Sequence, residues 1–242
     1  MCRHLAYLGP VRSLAELLTE PPHSLYRQSW TPTLNADGFG VGWYPPGDGA
    51  GPVRYRRAVP IWADANLPAL AAVLRSGAVL AAVRSATPGT SLDESAAAPY
   101  TLGRWLFSHN GRVEQWRSLP EDLGVPLTAA QVLGMEAHTD SALLWLLAGR
   151  RLAAGEPPGY ALAGVVRATA AARPAALLNL LLTDGRAIAA TRHGHPLHYR
   201  RDAEAGSVTV ASEPCTDDPD WHEVPEHSLL LAAPGTTEVT PL

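Results

Sequence analysis

With 242 residues, 46% hydrophobic and 17% charged, the chain is long enough to bury a substantial core. A formal net charge of −4 lacks the basic excess of a nucleic-acid-binding protein, and no stretch reaches the roughly 18 uninterrupted apolar residues of a membrane span. Two cysteines, Cys2 and Cys215, are too few for a disulfide framework, and without a signal-peptide pattern the cytoplasm is the expected location.

CRHLAYLG (2–9) reads as a strand that begins at Cys2. SLAELLTE (13–20) reads as a short helix, with Ser13 and Glu16 spaced as a capping box. NADGFGVGWYPPGDGAG (35–51) starts as a glycine-rich loop, passes through a strand around 40–44 and ends in a turn. VRYRRAV (53–59) is strand-like, NLPALAAVLRS (66–76) helical, and AVLAAVRSAT (78–87) fits a buried strand. GRWLFSHNG (103–111) is a strand expected to run into a tight turn at Asn110-Gly111. Two helices, 139–155 and 159–172, are separated by a Gly-Glu-Pro-Pro breaker. From Ala175 the chain is strand-rich, with Thr183-Asp184-Gly185 as a hairpin turn. Strands at both ends around a helical middle predict an α+β sandwich with mostly antiparallel sheets, in one domain.

Removing Met1 would leave Cys2 with a free α-amine beside its thiol. These groups titrate near ~8 and ~8.5, so proton transfer between them is nearly thermoneutral. The plainer reading of Cys2 is a small buried hydrophobe. Arg84 follows six apolar residues, Ala78 to Val83, and a guanidinium delivered to a strand end can fork onto a carboxylate. Ser85 and Thr87 could add hydroxyl donors. Asn110 and Gly111 form a common turn pair, but an Asn amide beside a Gly N–H also supplies two converging donors for an oxyanion. His109 is a base or a structural neighbour. Thr139 or Asp140 caps the helix that follows, and a carboxylate there could also hold an ammonium group. Cys215 is expected to be inert. Together these are the parts for attack on an amide whose acyl side is an amino acid.

The MC start, ADGFGVGWY, VRSAT-x-G, FSHNG and TDS occur in an order that resembles the class II glutamine amidotransferases, the N-terminal-nucleophile glutaminases. The motifs span residues 1 to about 145, and the strand-rich remainder fits the family in outline. The resemblance implies a four-layer αββα sandwich over residues 2–242 as a single domain, Met1 having been removed. It implies Cys2 as nucleophile with its own amine as base, and Asn110 and Gly111 as the oxyanion hole. Arg84 would hold the glutamyl α-carboxylate, Asp140 the α-ammonium, and Thr87 would support that clamp. No metal and no cofactor are implied, the partner is a small γ-glutamyl substrate, and a homodimer is compatible with the family.

The opening MCRHLAYLG, with ADGFGVGWY and RSATPGT, resembles the branch that removes the γ-glutamyl group from γ-glutamyl-hercynylcysteine sulfoxide in ergothioneine biosynthesis. The alternatives are a glutaminase subunit supplying ammonia to a separate synthase, and a non-catalytic binding module. Ala142 and Ala98 stand where many synthase-linked relatives carry an acidic residue and a His, differences expected near the glutamyl pocket. The hydrolase branch is favoured because the glutaminase-like region uses the whole chain. Its leaving group carries a trimethylammonium charge suited to aromatic faces, and Trp43 and Tyr44, after the glycine-rich loop, are the first candidates.

Overall fold

The computed structural model describes residues 2–47, 51–87 and 89–242. Its organising element is the first strand, β1 (Arg3–Ser13), whose sequence is apolar on both sides of the pleat. Leu5 and Tyr7 face one apolar cluster, Ala6 and Leu8 another. A strand buried on both faces requires layers above and below it.

Among the described residues, thirteen strands supply two of those layers. After β1 come β2 (Phe39–Trp43), β3 (Val53–Arg57), β4 (Arg75–Val83), β5 (Tyr100–Leu102), β6 (Trp105–Arg112) and β7 (Leu177–Thr183). They are followed by β8 (Ile188–Arg192), β9 (His198–Asp202), β10 (Ser207–Ala211), β11 (Trp221–Glu223), β12 (Ser228–Ala233) and β13 (Thr236–Pro241). Seven form a sheet in the order β11-β9-β10-β1-β4-β2-β3, and six form a second in the order β13-β12-β8-β7-β6-β5. The assigned pairings are antiparallel throughout. Alternate residues of β1, β4, β6 and β10 meet between the sheets, where Leu8, Leu80, Leu106 and Val210 pack together.

Helices cover both outer faces. Leu14–Leu18 and Leu67–Val73 pack on the seven-stranded sheet. Asp140–Ala153 and Pro158–Ala172 pack on the six-stranded one, with Phe107 stacked on Trp145 at 4.9 Å. The result is the four-layer αββα sandwich. Among the described residues no helix is long and apolar enough to cross a membrane.

The capping box forms as expected: the Glu16 carboxylate accepts the Ser13 N–H at 2.7 Å, and Ser13 Oγ accepts the Glu16 N–H at 3.2 Å. One expectation is overturned. Asn110-Gly111 is no turn, because β6 continues to Arg112 and stays in register with β7, Asn110 opposite Asn179 and Gly111 opposite Leu178. The short strands β5, β11 and β13 carry too little apolar alternation to stand out in the sequence.

Candidate active site

Register brings the chemistry to one end of the sandwich. Arg3 and Phe39 both lie opposite Val83, so Cys2, Gly38 and Arg84 meet just beyond the strand ends. The ladder continues there, with Arg84 N–H on the Gly38 carbonyl at 2.8 Å and Asp37 N–H on the Arg84 carbonyl at 2.9 Å. Cys2 Sγ lies 3.4 Å from the Ser85 amide nitrogen, which donates to it, and 3.5 Å from the Ser85 carbonyl. Burial pushes the Cys2 thiol up. The Ser85 N–H and the positive charge of Arg84 pull it back in part, and Asp140 opposes them. A thiol held protonated needs a base before it can attack. Met1 lies outside the described residues.

The Cys2 backbone is tied down as well. Arg3, 4% exposed, donates to the Cys2 carbonyl at 3.1 Å and pairs with Glu213 at 2.8 Å. His4, two residues on, points between the sheets and meets Ser108 Oγ through Nδ1 at 3.2 Å. Burial, then the positive surroundings of His109, Arg3 and His195, pull the His4 ring down to about 3, so it is neutral at working pH. Its Nε2 is buried without a partner.

Arg84 is almost fully buried, and its described partners are neutral oxygens. It donates to the Ser91 carbonyl at 2.7 Å, Thr90 Oγ1 at 3.2 Å and the Asp37 carbonyl at 3.5 Å. Thr87 joins this loop through its carbonyl, which accepts the Thr90 hydroxyl at 2.7 Å. A buried guanidinium facing neutral acceptors retains a strong preference for an incoming carboxylate.

The cap role falls to Thr139, whose hydroxyl accepts the Ala142 N–H at 3.2 Å. Asp140, the first residue inside the helix, accepts the Val113 N–H at 2.9 Å and the Ser141 N–H at 2.8 Å. His109 donates Nε2–H to the Leu177 carbonyl at 2.9 Å, which leaves Nδ1 to accept from the Ser141 hydroxyl at 3.0 Å. Both ring nitrogens are engaged, so His109 serves as a strut and not as a base.

Asn110 and Gly111 reach this end on β6. Asn110, 1% exposed, has its amide 3.3 Å from Ser212 Oγ, while Oδ1 is buried without a partner. At Gly111 an added Cβ would stand 1.8 Å from the Leu177 carbonyl oxygen, so only glycine lets the two strands approach this closely. At Gly40 a Cβ would stand 2.2 Å from the Ala98 carbonyl, which explains why the glycine-rich strand can pass beneath the Ala98 segment.

Cys2, Arg84, Ala98, Tyr100, His109 and Ser141 surround a cavity of about 30 Å³. That is about the space of a single water. Ala98 lines it as expected. Ala142 does not: it faces a separate cavity beside Trp145.

Trp43 and Tyr44 are corrected. Trp43 lies opposite Val79, four residues along β2 from Phe39, or about 13 Å from the Cys2 end. It packs with the outer apolar cluster under the helices. Tyr44 lies between the sheets with its hydroxyl 2.8 Å from the Arg104 carbonyl and 2.9 Å from that of Thr183. The glycine-rich loop does reach the Cys2 end, through Asp37 and Gly38, but β2 then carries Trp43 and the Tyr44 after it away.

Ser108, Ser141, Tyr100 and His4 were not expected at the site. Alternation from Cys2 places His4 on the nucleophile's face, and that signal is in the sequence. The others depend on pairing between distant strands. Cys215 is buried, its thiol pushed up to about 12, consistent with an inert residue. Among the described residues no group of three or more His, Cys, Asp or Glu side chains could hold a metal ion.

This geometry has relatives. A family model described as glutamine amidotransferases class-II matches residues 23–206. A gamma-glutamyl-hercynylcysteine sulfoxide hydrolase of Mycolicibacterium smegmatis is 39% identical over 100% of both chains. The protein of the same name in Mycobacterium tuberculosis is 39% identical over 95% of this chain and 92% of that one. A probable glutamine amidotransferase of Saccharomyces cerevisiae, DUG3, is 28% identical over 100% of this chain and 84% of its own length. Among solved structures, a glutamine aminotransferase class-II domain protein of Silicibacter pomeroyi superposes with a TM-score of 0.71 at 25% identity, covering 99% of each chain. The glutamine phosphoribosylpyrophosphate amidotransferase of Bacillus subtilis superposes at 0.69 over 99% of this chain and 49% of its own, with 13% identity, a likeness of fold alone.

Proposed function

The chain belongs to the class II glutamine amidotransferases, and from that premise we propose that it hydrolyses the γ-glutamyl amide of γ-glutamyl-hercynylcysteine sulfoxide to glutamate and hercynylcysteine sulfoxide. The observation that carries the reading is 39% identity over the full length of a hydrolase named for that substrate. Residues 2–242 act as one domain, with Met1 removed.

In this reading Cys2 Sγ attacks the γ-carbonyl while the Cys2 amine takes the thiol proton. The carbonyl electrons move onto oxygen, which the Asn110 amide and the Gly111 N–H stabilise. The tetrahedral adduct collapses, the C–N bond breaks, and the amine returns its proton to the leaving nitrogen. Water then adds to the thioester with the same amine as base, releasing glutamate and the thiol. Arg84 exchanges its loop carbonyls for the α-carboxylate, and Asp140 faces the α-ammonium with Thr87 supporting the loop. Two features support this set: the partners of Arg84 among the described residues are neutral, and burial, which raises the Cys2 thiol, calls for a base.

The test is mass spectrometry of products from a panel of γ-glutamyl compounds, including the non-methylated histidine analogue and L-glutamine. Preference for the trimethylated sulfoxide is the expected result. Equal turnover of all three would replace this reading with an ammonia-supplying glutaminase.

A further inference from the structure

The VASEP stretch (210–214) has no part in the chemistry above, yet Ser212 sits where β10 leaves the nucleophile's strand. It is 2% exposed. Its N–H donates to the His4 carbonyl at 3.0 Å, and its Oγ accepts the His4 N–H at 3.0 Å. A hydroxyl has one proton to give, and here that proton is still available. Among the described residues, the Asn110 amide, 3.3 Å away, is its side-chain hydrogen-bond partner.

In the structure the amide nitrogen faces Ser212 and Oδ1 is buried without a partner. That leaves Ser212 accepting twice and its proton unplaced. A half-turn of the amide about its last torsion exchanges oxygen and nitrogen without moving a neighbour, and the two orientations are decided by the hydrogen-bond network. After that turn Ser212 accepts from His4 N–H and donates to Asn110 Oδ1. The amide nitrogen, with both protons, becomes the unpartnered group.

Resting on the reading of Asn110 as an oxyanion donor, we propose that Ser212 is a positioning residue that holds the Asn110 amide with its nitrogen toward the reacting carbonyl. The opposite orientation would present a carbonyl oxygen to a developing negative charge and repel it. The same hydroxyl holds the backbone of His4, two residues from Cys2. One side chain therefore aligns the nucleophile's strand in one sheet with the oxyanion donor in the other.

A double-mutant cycle on glutamate release tests the assignment. Ser212→Ala is expected to lower kcat roughly tenfold, with KM nearly unchanged, because it loosens one orienting hydrogen bond. Ser212→Thr, which keeps the hydroxyl, restores most of it. In an Asn110→Ala background the same replacement should add almost nothing. If Ser212→Ala does not fold, Ser212→Cys, close in shape but a poor donor, takes its place in the cycle. A large Asn110→Ala loss with a fully additive Ser212 effect overturns this inference alone. A negligible Asn110→Ala loss overturns the oxyanion reading and this inference with it.

Discussion

The space between the two sheets has two halves built from the same strands. In one half β1, β6, β7 and β10 contribute Leu8, Leu106, Leu181 and Val208. In the other, the same strands, with the residue that follows β10, contribute His4, Ser108, Asn110, Asn179 and Ser212, all nearly fully buried. The backbone pairing hardly differs; the side chains do. A buried polar group without a partner costs about 1–3 kcal/mol, so the apolar half has to carry the polar one. Asn110 and Asn179 face each other across β6 and β7 and sharpen the contrast. Asn179 is satisfied: Oδ1 accepts the His193 and His195 N–H groups at 3.1 and 3.2 Å, and Nδ2 donates to the His195 carbonyl at 2.8 Å. Asn110 keeps one end of its amide without a partner among the described residues. One asparagine builds the fold, and its neighbour is held in reserve.

The strongest way to break this division is Cys2→Ala. It should abolish turnover, leave substrate binding measurable by calorimetry, and shift the melting temperature little. Retained turnover would move the chemistry away from this end of the sandwich.

Next come the two asparagines. Asn110→Ala should cost roughly 3–4 kcal/mol of transition-state stabilisation, as for other oxyanion donors, with melting unchanged or raised because an unsatisfied group is removed. Asn179→Ala should do the reverse, costing roughly 1–3 kcal/mol for each buried group it strands, while kcat per folded molecule changes little. Matching phenotypes would erase the distinction.

Arg84→Lys keeps the charge and loses the fork, so KM should rise roughly tenfold or more while kcat changes less. A parallel loss on substrates lacking the α-carboxylate would assign Arg84 to holding its own loop.

The last effect concerns stability in acid. The unfolded chain protonates the His4 ring near 6.5, whereas the folded ring stays neutral to about 3. The unfolded state thus binds the extra proton, and stability falls as pH drops through that window, by up to about 1.4 kcal/mol per pH unit for this one group. His4→Gln should therefore lose less melting temperature than wild type between pH 7 and pH 4. Identical pH slopes would show that the ring is protonated in the folded protein.

The order of strands and helices was legible because it rests on local alternation and breakers, as with Ser13 and Glu16 or the Gly-Glu-Pro-Pro gap. The resemblance to the family marked Cys2, Arg84, Asn110, Gly111 and Asp140; of these, Cys2 and Arg84 line one cavity, while Asn110, Gly111 and Asp140 adjoin in sequence the His109 and Ser141 that also line it. What local pattern could not give was register. Asn110-Gly111 has the composition of a turn, but Leu178 and Leu177 continue the pairing and a strand results. Trp43 follows a loop that reaches the Cys2 end, yet its own strand runs the other way. Ser212 and Ser108 join the site only through pairings that span about a hundred residues or more.

The place of β1 also sets a timetable. Leu5 pairs with Ala211, about 200 residues downstream, and β10 closes one side of the strand that follows the nucleophile. At ribosomal speeds of about 5–20 residues per second, some 10–40 s separate the synthesis of the two partners. During that interval the start of the chain is an unpaired edge, open to the peptidase that would remove Met1. The proposed removal of Met1 belongs to this early window, before β10 adds to the sheet beside β1.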